Sequence, residues 1–244
     1  MKIKFAIILL LLSNSFVKCN SQQNPSPPAA AKDNGYSYNN ASSDGIGKFY
    51  WGREISQVMG AGGSDWLERA DRNQEENTRL AIKKISIPAD GTIADIGAGT
   101  GYYSFKLSAK VPKGKVYAVE IQDELIGYLK NKKAQLKDSI VEIIKSTTIS
   151  PNLPDNSIDL AIMVDVYHEL EYPHEMLQAI RKALKPGGKI LLIEYRGEDP
   201  AVPIKALHKT TIAQLGKEMK ANGFQLNYKG DFLPIQHFLL YEKK

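Results

Sequence analysis

From Gly91 to Lys244, short apolar runs alternate with longer stretches whose apolar positions recur every three or four residues. The runs predict strands ending at Ile96 and spanning 115–119, 140–145, 158–164, 189–194, 224–228 and 236–242. The longer stretches predict helices over 102–110, 123–135, 173–184 and 211–222. Pro186-Gly187-Gly188 is a stop-and-turn signal, and Gly223 closes the last helix. Strands alternating with helices at this spacing predict a doubly wound, mostly parallel α/β sheet covered on both faces. In such sheets a ligand sits at the carboxyl ends of the strands. That rule selects Asp95 to Gly101, Glu120, the loop after Lys145, Asp165 to Glu169, and Glu194 onward.

The chain ahead of this alternation follows another pattern. Residues 49–87 show no strand-like alternation and predict an N-terminal helical segment, with helices at 53–59 and 74–85. Gly60-Ala61-Gly62-Gly63 separates them, and Ser64 or Asp65 caps the turn holding Trp66 and Leu67. This segment, 46–88, either packs over the domain at 89–244 or forms a lid carrying part of a pocket. Arg53, Arg69 and Arg72 offer cations to an anionic substrate, or pair with Glu68, Glu75 and Glu76 on the surface. Residues 20–45, rich in Asn, Ser, Gln, Pro and Ala, read as a disordered tether, because they bury too little surface to offset ordering entropy.

Residues 1–19 have the form of an export signal: a basic start, a short apolar core and small polar residues. The run Phe5 to Leu12 is too short to span a bilayer, which takes about 20 residues. Cys19, the single cysteine, follows at once and excludes an intrachain disulfide. Its setting resembles a bacterial lipoprotein junction, although Phe16 and Lys18 depart from the usual pattern. The expectation is an exported chain, periplasmic or membrane-anchored through a lipidated Cys19, with simple cleavage as the alternative.

Composition adds little beyond this. The apolar fraction, 43% of 244 residues, supplies a real core. The net charge is +5, of which Lys2, Lys4 and Lys18 carry three, leaving +2 and no electrostatic case for nucleic acid. There is no internal repeat and no zinc-type Cys/His cluster, so no metal is expected.

The chemistry concentrates at Asp95-Ile96-Gly97-Ala98-Gly99-Thr100-Gly101. Glycines at alternate positions let the backbone turn sharply and approach a ligand where a Cβ would collide. The turn lacks the lysine of a phosphate-binding P-loop. Tyr102 stands where a dinucleotide fingerprint needs its third glycine. Asp95 repels a pyrophosphate and suits a ligand with positive charge, or else bonds the turn's own amides. Glu120, at the end of the second strand, is placed to accept hydroxyl hydrogen bonds from a ribose.

These motifs, with Leu153-Pro154-Asp155-Asn156-Ser157-Ile158-Asp159 and Leu184-Lys185-Pro186-Gly187-Gly188-Lys189, resemble in order and spacing the class I S-adenosylmethionine-dependent methyltransferases. The resemblance covers 89–194 most closely and extends to 244. It implies a Rossmann-like, seven-stranded sheet whose last strand is antiparallel. It also implies S-adenosylmethionine held by Asp95, Gly97, Ala98, Gly99, Thr100 and Gly101 at its methionine part and by Glu120 at its ribose. Ile121 would flank the adenine, and Thr147 would approach the adenine edge. Many members place an acid just after strand three; here Ser146-Thr147-Thr148 leaves that contact to a hydroxyl or a backbone carbonyl.

Methyl transfer requires positioning above all, and a general base only where the acceptor must lose a proton. Asp165 lines the cofactor pocket or acts as base. His168 is the best single base candidate, or a residue that holds its loop. Tyr167 orients substrate or packs. The loop 194–200, with Lys205, His208 and Lys209, faces the acceptor or forms an internal salt-bridge network. The expected partner is a small-molecule acceptor. The competing readings are a non-catalytic cofactor-binding or sensing protein and, disfavoured by Asp95 and Tyr102, a nicotinamide oxidoreductase. The motifs leave the oligomeric state and the acceptor open.

Overall fold

A computed structural model describes residues 34–244. The export-like segment 1–19, Cys19 and most of the predicted tether lie outside the described residues. Within them, seven strands form one sheet: β4 (Thr92–Ile96), β5 (Lys115–Glu120), β6 (Val141–Lys145), β7 (Ile158–Val164), β8 (Leu184–Tyr195), β9 (Phe224–Gly230) and β10 (Gln236–Lys243). Their order is β6-β5-β4-β7-β8-β10-β9. The strands from β6 to β8 pair in parallel, and β10 runs antiparallel to both neighbours. This is the Rossmann-like seven-stranded arrangement expected from the sequence.

Alternate residues of the central strands feed two cores, the signature of a sheet buried on both sides. Ala94, Ala161 and Met163 join Leu177 and Ile180 of α6 (Pro173–Ala183) and Leu215 and Met219 of α7 (Ile212–Ala221). Ile93, Leu160 and Ile162 face Ala81 of α3 (Thr78–Lys84), Leu107 of α4 (Ser104–Ser108) and Leu129 of α5 (Asp123–Leu136). The Pro186-Gly187-Gly188 turn lies inside β8, as a register shift between Ile158↔Leu184 and Leu160↔Lys189.

The N-terminal segment departs from expectation. Residues 53–59 do not form a helix. β1 (Tyr36–Tyr38), β2 (Gly45–Tyr50) and β3 (Arg53–Ser56) make a separate antiparallel sheet. The hairpin turns at Trp51 and Gly52, with φ of 49° and 93°. Positive φ at both central residues matches the twist of the flanking strands, so the chain reverses there. The expected tether also ends early, since β1 begins at Tyr36. The predicted helix 74–85 is two short helices, α2 (Arg72–Glu76) and α3, broken at Asn77 in the left-handed conformation. A further short helix, α1 (Ser64–Leu67), precedes them.

Candidate active site

β4 ends by turning at Gly97 and Gly99, whose φ values are 70° and 56°. A Cβ on Gly97 would lie 2.6 Å from Val166 Cγ1, and one on Gly99 2.9 Å from Leu67 Cδ1. The turn is pinned to the end of β5: the amides of Gly97 and Ala98 donate to the Val119 carbonyl. Glu120 completes it. Its Oε2 accepts from Gly99 N at 2.9 Å, and its Oε1 accepts from Ile121 N at 2.8 Å and Gln122 N at 3.0 Å. A carboxylate offers about four acceptor positions. Three are occupied, so Glu120 has room for one further hydroxyl on Oε2 rather than the pair expected from sequence.

These residues open onto a cavity of ≈ 1070 Å³, its mouth included. Asp95, Gly97, Ala98, Gly99, Thr100, Glu120, Ile121, Thr147 and Asp165 all line it. Gly101 does not; a Cβ there would meet Phe105 and Leu129, so that glycine serves packing. Asp95 is buried, and loss of solvent raises its pKa from 3.8 to about 6, with Ser104 Oγ donating to it at 2.6 Å. Asp165, with φ of 54°, is held well above the usual carboxylate range by burial first and then by Glu76 and Glu194. Gln236 Nε2 bonds both of its oxygens, at 3.0 and 2.8 Å.

Sequence reasoning missed much of the opposite wall. Val58, Met59 and Leu67 reach the cavity from the N-terminal segment, and Tyr103 and Leu170 from the domain itself. The buried Tyr103 hydroxyl has no partner among the described residues. Apolar residues without helical or strand periodicity gave no signal. Arg72 also lines the cavity; its Nε donates to Glu76 and its Nη1 to the Leu67 carbonyl. The three arginines settle as structural pairs: Arg69 and Arg72 share the fully buried Glu76, and Arg53 grips Glu218. Glu68 instead meets Lys132 and Thr100.

Two of the three residues nominated for catalysis lie elsewhere. Tyr167 is in the core, and its hydroxyl donates to Glu218 Oε2 at 2.8 Å. His168 is buried and absent from the cavity wall; Nδ1 lies 2.6 Å from Glu194 Oε2 and Nε2 3.1 Å from His208 Nδ1. Asp165 alone of the three borders the cavity. The loop after β8 is an internal network: Glu198 meets His237 and the Ile212 amide, and Lys205 meets Asp44.

An adenosyl sulfonium ligand fits this cradle on two counts: the free acceptor on Glu120 and the unpartnered Tyr103 hydroxyl. Comparison with known proteins agrees. Residues 94–192 match the family model described as a methyltransferase domain. The ubiquinone/menaquinone biosynthesis C-methyltransferase UbiE of Hahella chejuensis is 28% identical over 131 residues, covering 52% of this chain and 51% of that protein. The demethylmenaquinone methyltransferase of Oceanobacillus iheyensis is 26% identical over 46% of this chain and 48% of its own length. The chain thus matches about half the length of these curated relatives. A solved S-adenosylmethionine-dependent methyltransferase from Aquifex aeolicus superposes with a TM-score of 0.71 at 24% identity, covering 75% of this chain and 98% of that one. Residues 94–192 therefore match a methyltransferase domain, set in the Rossmann-like fold that the solved structure shares.

Proposed function

We propose that the whole chain is a methyltransferase that moves a methyl group from S-adenosylmethionine to a small-molecule acceptor. One observation carries this reading: Gly97, Gly99 and Glu120 meet at the ends of β4 and β5 on the wall of a single cavity. When bound, the cofactor supplies a methyl group activated by a positively charged sulfur. In this reading the remaining acceptor position of Glu120 takes a ribose hydroxyl. Ile121 flanks the adenine and Thr147 approaches its edge. Arg72, on the cavity wall, faces the methionine carboxylate.

Asp165 is the group placed to hold a proton next to the acceptor, because burial keeps its carboxyl easy to protonate. Val58, Met59, Leu67 and Leu170 exclude water and favour an acceptor with apolar bulk. Demethylmenaquinone and other quinone precursors, which the relatives' names point to, are the first acceptors to screen.

Calorimetry of the full chain with S-adenosylmethionine, S-adenosylhomocysteine and NAD tests the reading. The first two should bind and NAD should not. Glu120→Ala should weaken both by about 100-fold, since it removes an acceptor from three amides as well as from the ligand. A folded protein that binds neither adenosyl compound would end the proposal.

A further inference from the structure

Behind the cavity wall lies a cluster that the methyl-transfer reading leaves unused. His168 Nε2, His208 Nδ1 and Glu169 Oε1 converge from two single-turn helices, at 167–169 and 206–208. The separations are 3.1 Å between the two nitrogens, 3.5 Å from His208 Nδ1 to Glu169 Oε1 and 3.8 Å from His168 Nε2 to the same oxygen. A zinc ion about 2.1 Å from nitrogen and oxygen ligands has tetrahedral ligand–ligand edges of about 3.4 Å. The three observed edges straddle that length.

A carboxylate stands beside each outer nitrogen. Glu194, fully buried, lies 2.6 Å from His168 Nδ1, and its other oxygen accepts the amides of Val166 and Tyr167. Asp44 Oδ2 lies 3.1 Å from His208 Nε2, close but off the line of a full-strength hydrogen bond. Carboxylates accept, so these contacts draw the ring protons outward to Nδ1 of His168 and Nε2 of His208. The two inward nitrogens then present lone pairs to each other and to Glu169. Glu169 Oε1 also accepts the Met59 amide, and three acceptors facing one point call for a shared proton or a metal cation between them. Carboxylates on the far nitrogens of ligating histidines are also the usual outer support of a metal site.

We propose that His168, Glu169 and His208 form a binding site for one divalent transition-metal ion of the zinc class, with an open coordination position. The donor set, two imidazoles and a carboxylate, suits such an ion better than calcium or magnesium, which prefer all-oxygen sites. Glu169 also lines the cavity, so an acceptor bearing a hydroxyl, thiol or carboxylate is the class of molecule that completes the coordination from that side. The site stands on its own geometry and does not depend on the methyl-transfer reading.

The test uses the untagged full chain, stripped with a chelator, shown folded by circular dichroism, and titrated with zinc chloride alone in the absence of cofactor. Cobalt(II) in place of zinc provides a visible absorption signature. One equivalent should bind, with cobalt bands of low coordination symmetry. His208→Ala should weaken binding by at least about 100-fold and Glu169→Gln by about 10-fold, since direct ligands matter at least as much as outer-sphere partners. His174→Ala, whose ring lies outside the cluster, should bind as the parent does. A folded parent that takes up no zinc or cobalt would overturn the proposal, leaving a shared proton between His168 and His208. Uptake unchanged by both ligand variants would overturn it equally.

Discussion

The cradle at the ends of β4 and β5 uses 95–101 and 120–122, whereas the histidine cluster gathers Asp44, His168, Glu169, Glu194 and His208 from four separate segments. The cradle is mostly backbone: turns, amides and one carboxylate that satisfies three of them. The cluster is all side chain, and the N-terminal segment contributes Asp44 to it. A site made of backbone needs particular residue types at fixed spacing. A site made of side chains needs only that the fold bring them together.

The most forceful way to break this contrast is to loosen the docking. Glu218, fully buried on α7, receives Arg53 of β3 through two bonds, at 2.8 and 3.0 Å, together with the Tyr167 hydroxyl and Gln214 Nε2. Glu218→Ala strands the Arg53 charge, which burial alone disfavours. We expect it to cost about 3–5 kcal/mol in denaturant unfolding. A loss below about 1 kcal/mol would show that the N-terminal sheet docks by apolar packing and does not depend on this pair.

The next test addresses the cradle. Asp95 is buried with its pKa raised from 3.8 to about 6. Folded protein therefore binds a proton that unfolded chain has released between those values, and parent stability falls as pH rises through the window. Asp95→Asn keeps an acceptor for Ser104 but has no proton to lose. Relative to the variant, the cofactor-free parent should lose about 2 kcal/mol between pH 4 and pH 6 and less than about 0.5 kcal/mol more above. Parallel stability curves would refute the burial cost assigned to Asp95.

The smallest effect separates scaffold from chemistry. Tyr167→Phe removes a buried hydroxyl that donates to Glu218 and should lower stability by about 1–2 kcal/mol. Turnover, once an acceptor is found, should stay within about twofold, because the ring does not reach the cavity. A far larger fall in turnover than in stability would return Tyr167 to the active site.

Much of the fold was legible before any coordinates. Strands buried on both faces appear as mostly apolar runs, so 158–164 was bounded correctly and 115–119 ended one residue short of β5. The glycine turn was legible because Gly97 and Gly99 adopt positive φ in tight contact, a demand that shows in residue type. The N-terminal sheet was not. Gly45 to Tyr50 lacks clean alternation, and the Trp51-Gly52 turn places a tryptophan where sequence rules look for asparagine or glycine. Burial of Ile55 and the Arg53–Glu218 pair decide that Arg53–Ser56 is a strand.

What the sequence determined by itself is therefore the alternating α/β sheet, the turn after β4 and the acidic end of β5, all set by local periodicity and backbone demand. Tertiary structure alone decided which wall closes the cavity, that Tyr167 and His168 turn away from it, and that His168 and His208, 40 positions apart, stand 3.1 Å from each other. Side chains on separate segments meet through packing, and no local pattern encodes that meeting.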